Sequence, residues 1–211
     1  MTNVLPNDSE VHIRELRPED AREAAKLHIS GIPTSFIGSL GLDFVTALYE
    51  AIATSNYGYG FVAETDGRIV GFATFATNLN ALYKSVIIHK GPRLAFSLAV
   101  KMFSFSRIKK VLETLFYPAR IKKMNLPEAE FLSMVIIEEA RGKGLATQMV
   151  RKGFTEAAAR GIEKLKILAA FDIRPINAMY EKFGFTLVGR IENHGILSNV
   201  YVADTNHFGN C

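Results

Sequence analysis

Read for the spacing of its apolar positions, the chain divides into short segments whose period switches between two and about 3.6. The run "EVHIREL" (10–16) alternates and predicts a strand. "RPEDAREAAKLHISGI" (17–32) follows as a helix, with Pro18 near its first turn and the acids Glu19 and Asp20 at its positive end. In "DFVTALYEAIATS" (43–55), Phe44, Leu48 and Ile52 recur every four residues, which predicts a second helix with Asp43 as its N-cap. Two β-rich runs then flank Asp66-Gly67 in "YGFVAETDGRIVGFATFA" (59–76), a pair suited to the positive φ angles of a tight type I′ hairpin turn. Further on, "EFLSMVI" (130–136) predicts a strand and 144–160 a helix that stops at Gly161. "EKLKILAAF" (163–171) predicts a strand. "RPINAMYEKFG" (174–184) is a short helix with Pro175 at its start and Gly184 past its end, and "FTLVGRIEN" (185–193) and "ILSNVYVAD" (196–204) are two closing strands.

The resulting order, β-α-α-β-β-(insert)-β-α-β-α-β-β, implies an α/β (α+β) sandwich. A mixed, mostly antiparallel central sheet is flanked by helices, with one parallel step through the helix at 144–160. The expectation is a single domain over 1–211, interrupted by a basic helical insertion at about 84–123, whose mostly helical stretch is bounded by Gly91-Pro92 and Pro118.

Charge singles out that insertion. The whole chain is +4, but the segment from Lys84 to Lys123 holds ten basic residues and one acid, Glu113, so it carries about +9 and the remainder about −5. Its apolar stretch, Leu94 to Tyr117, is broken by Lys101, Arg107, Lys109, Lys110 and Glu113 and does not read as a membrane span. The first residues show no secretory pattern, and the one cysteine, Cys211, permits no disulfide framework or cysteine-rich metal site, so a cytoplasmic setting is expected. No His/carboxylate pair has metal-like local spacing, and no metal is predicted.

The candidate chemistry begins at "ARGKGLATQ". Glycine is the poorest ordinary helix former, yet Gly142 and Gly144 crowd the start of an amphipathic helix. A helix N-terminus has free N–H groups and a positive dipole end, and glycines let an anion approach the backbone. Arg141, Lys143 and Thr147 add charge and a hydroxyl, and Ala146 keeps the next turn small. The pattern implies a phosphate cradle, but its spacing is that of neither a nucleotide P-loop nor a dinucleotide fold.

The run Arg141-Gly142-Lys143-Gly144-Leu145-Ala146 resembles the Arg/Gln-x-x-Gly-x-Gly/Ala signature of the GNAT superfamily of acyl-CoA-dependent N-acetyltransferases. A second stretch, "NAMYEKFGF" (177–185), resembles that family's later Tyr-x-x-x-Gly-Phe helix. The resemblance implies that backbone N–H groups over Arg141 to Thr147, Leu145 among them, hold the coenzyme A pyrophosphate. It further implies that Met134, Val135 and Ile136 of the preceding strand hold the thioester and pantetheine, and that Tyr180 is the general acid for the departing thiolate. The family often has an asparagine seven residues before this tyrosine. Here that position is Ile173, and Asn177, one helical turn on, is the candidate for a related coenzyme contact.

The resemblance thus implies acetyl-CoA as acyl donor and transfer to a primary amine of a small molecule or amino sugar. Alternatives are a non-catalytic acyl-CoA-binding regulatory module and a membrane-surface acyltransferase. Glu130 is the candidate general base, weighed against a solvated acid at a strand end. His28, His89 and His194 are weighed as bases against surface or structural roles. The helices at 20–53 and the insert form the expected acceptor side. The insert suits either basic helices packed on the sandwich or a docking surface for an anionic substrate or an anionic membrane. No nucleic-acid-binding module is recognisable, so no nucleic acid is expected, and a homodimer stays open.

Overall fold

The computed structural model describes residues 10–86, 88, 124–193 and 196–208. The strands β1 (His12–Glu15), β2 (Gly58–Thr65), β3 (Arg68–Ala76), β4 (Glu130–Ile136), β5 (Lys164–Ala170), β6 (Thr186–Asn193) and β7 (Ile196–Asp204) form one sheet of order β1-β2-β3-β4-β5-β7-β6. All pairings are antiparallel except β4 with β5. The mixed sheet flanked by helices is therefore as expected from the sequence.

The β2–β3 turn forms as its residues dictate, Asp66 and Gly67 both taking positive φ (49° and 73°). The helices are α1 (Ala21–Gly31), α2 (Phe36–Ser39), α3 (Leu42–Thr54), α4 (Leu145–Ala159) and α5 (Arg174–Lys182). One expected cap is displaced. α3 is capped by Gly41 at φ 96°, and Asp43 instead sits in the first turn, where Arg22 lies 3.9 Å away. A glycine reaches that backbone angle without a Cβ clash, which aspartate does not. Residues 79–86 are helical. Most of the basic insertion expected at 84–123, including residues 89–123, lies outside the described residues, as do the termini with Cys211.

Two apolar layers enclose the sheet. α1 and α3 bury Ala21, Ala25, Val45, Tyr49 and Ile52 against Val62, Phe72 and Val135. α4 buries Met149, Val150 and Phe154 against Phe75, Phe131 and Leu165 on the other face, where Tyr180 and Phe183 of α5 join them. Backbone approach is close enough that a Cβ on Gly153 would lie 2.1 Å from the Phe75 ring, and one on Gly31 would lie 2.4 Å from Val135 Cγ1.

The departure from a regular sheet lies at its centre. β4 and β5 are in register at the single pair Glu130–Lys166, supported by the Lys166 N–H donating to Ala129 O at 3.1 Å, and then they part. β4 also bulges. Thr74 opposes Ser133 while Phe75 opposes Phe131, so Leu132 is an extra residue that bends the strand. The outcome is a gap between two strands in the middle of a sheet, bordered by backbone groups that a ladder would otherwise use.

Candidate active site

The gap leads to the glycine turn. Gly142 and Gly144 both adopt the left-handed region, with φ 77° and 74°, and Gly144 is the N-cap of α4. A Cβ on Gly142 would meet nothing within 4 Å, and one on Gly144 only Gln148 Nε2 at 4.0 Å. These glycines are thus required by backbone angle and not by packing, and they leave open space over the turn. The first N–H bonded along the helix is that of Gln148, to Gly144 O at 3.1 Å. The N–H groups of Leu145, Ala146 and Thr147 therefore have no intrahelical acceptor and stand at the positive end of the dipole. Arg141 folds back to donate from Nε to Ile136 O at 3.0 Å, which ties the turn to the end of β4.

A cavity of about 790 Å³ lies here. One wall is Ile136, Ala140, Arg141, Gly142, Gly144, Leu145, Ala146 and Thr147; the facing wall is Pro175, Ala178, Met179, Glu181, Lys182 and Phe183, mainly from α5. Lys143 is exposed beside it. The chemistry of this lining, free backbone donors with cationic side chains at one end and apolar side chains between strand and helix, fits a diphosphate joined to a less polar arm.

Along β4, the Ile137 N–H donates to Val70 O on β3 at 2.9 Å. Backbone direction alternates along a strand, so the Val135 N–H also points to β3, and those of Met134 and Ile136 point into the gap. Of the three residues expected to hold the thioester, two thus present N–H groups on the open side. The Val135 side chain is buried against α1.

Tyr180 is buried, with its ring edge-on to Phe131 of β4 at 6.1 Å and to Phe185 at 5.8 Å. Among the described residues the sealed side-chain oxygens without a hydrogen bond are Thr46 Oγ1, Thr65 Oγ1 and Glu130 Oε2, the last held by an ion pair with Lys166; the Tyr180 hydroxyl is not one of them. Burial pushes its pKa above the usual tyrosine value, leaving the hydroxyl protonated at neutral pH. Asn177 is turned elsewhere. Its Nδ2 donates to Ala170 O (2.9 Å) and Ile173 O (2.8 Å), and its Oδ1 accepts from Asn199 Nδ2 (2.8 Å) and Tyr201 Oη (3.0 Å). All its hydrogen-bonding capacity is used inside the protein, which leaves none for a coenzyme contact.

Glu130 is not a solvated strand-end acid. It is 8 % exposed, and Oε2 lies 3.4 Å from Lys166 Nζ, itself 1 % exposed. Lys166 also donates to Pro127 O at 2.6 Å and to Glu128 O at 3.2 Å. Burial pushes the Glu130 pKa up, against the pull of Lys166. The pair sits where the strands part and pins the segment entering β4. A sealed, paired carboxylate is poorly placed to meet a substrate, so the geometry gives Glu130 a structural role in place of the expected base.

Sequence reasoning did not find the polar line on the opposite face of β4. His28 Nδ1 is 2.8 Å from Tyr49 Oη, which is 2.9 Å from Ser133 Oγ, and Thr74 Oγ1 is 2.9 Å from the same Ser133 oxygen. The sequence suggests no partner for His28. Its signal in the sequence is only that it falls on the buried face of α1 with Ala21, Ala24 and Ala25.

The sequence matches the family model for acetyltransferases of the GNAT family over residues 105–185, a span that includes the glycine turn and Tyr180. No curated protein matches the sequence. An N-acetyltransferase from Staphylococcus aureus shares the fold at a TM-score of 0.56 and 21% identity, covering 93% of this chain and 99% of its own. NAA60 of Arabidopsis thaliana, solved with acetyl-CoA, aligns at a TM-score of 0.58 and 13% identity, with 93% and 99% covered. A variant of the spermidine N-acetyltransferase SpeG of Vibrio cholerae aligns at 0.58 and 17% identity, with 95% and 96% covered. The chain is thus similar to GNAT acetyltransferases over residues 105–185 and shares its fold with solved acetyltransferases.

Proposed function

We propose that the protein moves an acetyl group from acetyl-CoA directly to a primary amine of a small molecule. The observation that carries this reading is the cavity lined by Ile136 at the end of β4, the glycine turn and α5, with β4 parting from β5 beyond Glu130–Lys166. The pyrophosphate would lie on the N–H groups at 142–147, and the thioester carbonyl would face those of Met134 and Ile136. Donors fixed in advance around a developing oxyanion lower the barrier to acyl transfer. The neutral amine attacks the carbonyl carbon, the C–N bond forms, the C–S bond breaks, the proton on Tyr180 Oη goes to the departing thiolate, and the proton shed by the new amide nitrogen leaves to water, from which Tyr180 is reprotonated. A spermidine N-acetyltransferase among the structural neighbours supports an amine acceptor of modest size.

Calorimetry with acetyl-CoA tests the site. Gly144→Glu puts a carboxylate and a Cβ where the backbone angle and the anion site both exclude them, so binding is expected to weaken at least about 100-fold. Circular dichroism checks that the variant folds. Equal affinity in both proteins would remove the glycine turn from the site. Tyr180→Phe is expected to keep coenzyme affinity and lower kcat roughly 100-fold in a thiol-release assay; undiminished turnover would take the general-acid role from Tyr180.

A further inference from the structure

The transfer needs a neutral amine, and an alkylamine arrives protonated at neutral pH. Glu130 is committed to Lys166, so the proton needs another way out. The line on the α1/α3 face of β4 offers one. From β4 outward it runs Ser133 Oγ, which also meets Thr74 Oγ1, to Tyr49 Oη (2.9 Å), Tyr49 Oη to His28 Nδ1 (2.8 Å), and His28 Nε2 to Ser35 Oγ (2.9 Å). Its middle is sealed, with Tyr49 1 % and His28 5 % exposed, whereas Ser133 and Ser35 at its two ends are half-buried. Ser133 follows the bulge at Leu132 and precedes Met134, whose N–H faces the gap. Ser35 is the N-cap of α2, at the protein surface, and also accepts from the Gly38 N–H at 3.3 Å.

A buried polar cluster that served only packing would be closed on itself. This one joins two accessible points through three elements in an otherwise alanine-rich and aromatic layer, and each member is both donor and acceptor. We propose that the line carries the proton of the attacking amine from Ser133 to the surface at Ser35. The inference rests on the acetyl-transfer reading above. As the ammonium gives a proton to Ser133 Oγ, Ser133 gives its own to Tyr49, Tyr49 to His28 Nδ1, and the Nε2 proton of His28 passes to Ser35, whose proton leaves to water. The amine becomes neutral, and no member ends charged. Rotation of the hydroxyls and a flip of the imidazole reset the line. Burial keeps both rings uncharged at neutral pH, lowering the His28 pKa to about 4 and raising that of Tyr49, so neither is an end point for the proton. No charged side chain is among the causes of either shift.

The test compares two acceptors, ethylamine, which is protonated at neutral pH, and trifluoroethylamine, which is largely neutral. Wild type, Tyr49→Phe and Ser133→Ala are assayed for thiol release, with calorimetry of acetyl-CoA binding as the control. Ser133→Ala, which alters only the inner end, guards against a folding defect at Tyr49. Both variants are expected to bind acetyl-CoA as the wild type does, to lose roughly 100-fold in kcat/KM with ethylamine, and to lose less than about 5-fold with trifluoroethylamine. Equal losses with both amines, or no loss, would overturn the relay and leave the line as packing. A wild type that binds acetyl-CoA and releases no thiol with either amine would instead remove the transfer reading, and the relay with it.

Discussion

Two polar networks are buried on either side of the central gap, and they are built to opposite specifications. The hub at Asn177 joins α5 to the segment after β5 and to β7, and every donor and acceptor on its amide is used. The line at Tyr49 joins α1, α3, β3 and β4 with hydroxyls and an imidazole, and it ends at two half-buried serines. An amide with four fixed partners has one arrangement and holds a helix still. A row of hydroxyls has more than one, because each proton can point either way. The closed hub positions Tyr180 three residues along α5, where rigidity helps an acid meet its thiolate. The open line is suited to moving a proton.

The largest break in this comparison is expected from Asn177→Ala. The substitution removes four hydrogen bonds: one each to the Ala170 and Ile173 carbonyls, which keep backbone donors, and one each from Asn199 and Tyr201, which keep each other and, for Tyr201, Glu181. With about 1 kcal/mol for each hydrogen bond lost, the loss is about 4 kcal/mol, read as a drop in the urea midpoint. Acetyl-CoA affinity at the glycine turn should fall less than kcat, because the hub holds the helix of Tyr180 and not the turn. An Asn177→Ala protein as stable as the wild type would show that the hub is not a clamp.

How far these features could be read in advance follows from the sequence distance over which each is specified. The glycine turn and the Asp66-Gly67 hairpin were legible because positive φ at adjacent residues is a local demand that few residues meet. The short apolar run that predicted β4 was equally local. Asn177 was visible only as a helix residue near a tyrosine, since Asn199 and Tyr201 lie 22 and 24 positions away. Tyr49 and Ser133 are 84 apart, and each alone reads as an ordinary half-polar position. Lys166 shows the same limit. In "EKLKILAAF" it reads as the polar side of an alternating strand, yet the parting of β4 from β5 seals it against Glu130. The four-residue helix α2 was missed because its length leaves no period to detect.

Acid offers a second, smaller test. His28 is buried neutral with a pKa of about 4, below its ordinary 6.5, because burial disfavours the imidazolium. Between those values the unfolded chain binds the proton that the folded one refuses. Stability contributed by this site is therefore complete above about pH 6.5 and is lost as pH falls toward 4, by about 3 kcal/mol at the limit. Thermal unfolding across that window should show the slope, and His28→Gln should flatten it. Asn177 and Asn199 carry no titrating group, so an Asn177→Ala protein should keep the same slope from a lower starting stability.

The smallest effect on stability is expected from Tyr49→Phe, and its size sharpens the contrast. The ring keeps its packing edge-on to Phe72 at 5.1 Å, so no cavity forms. Only the hydroxyl goes. Ser133 is half-buried and retains Thr74, which limits the penalty at that end, while His28 keeps Ser35 on its other nitrogen. The cost is about 1 kcal/mol, and Tm should fall by roughly 2–4 °C. If the line were a clamp like the hub, opening it at its most buried member would cost as much as Asn177→Ala. A protein that loses little stability while losing most of its rate with a protonated amine would instead show that Tyr49 is placed for proton movement, with its packing carried by the ring alone.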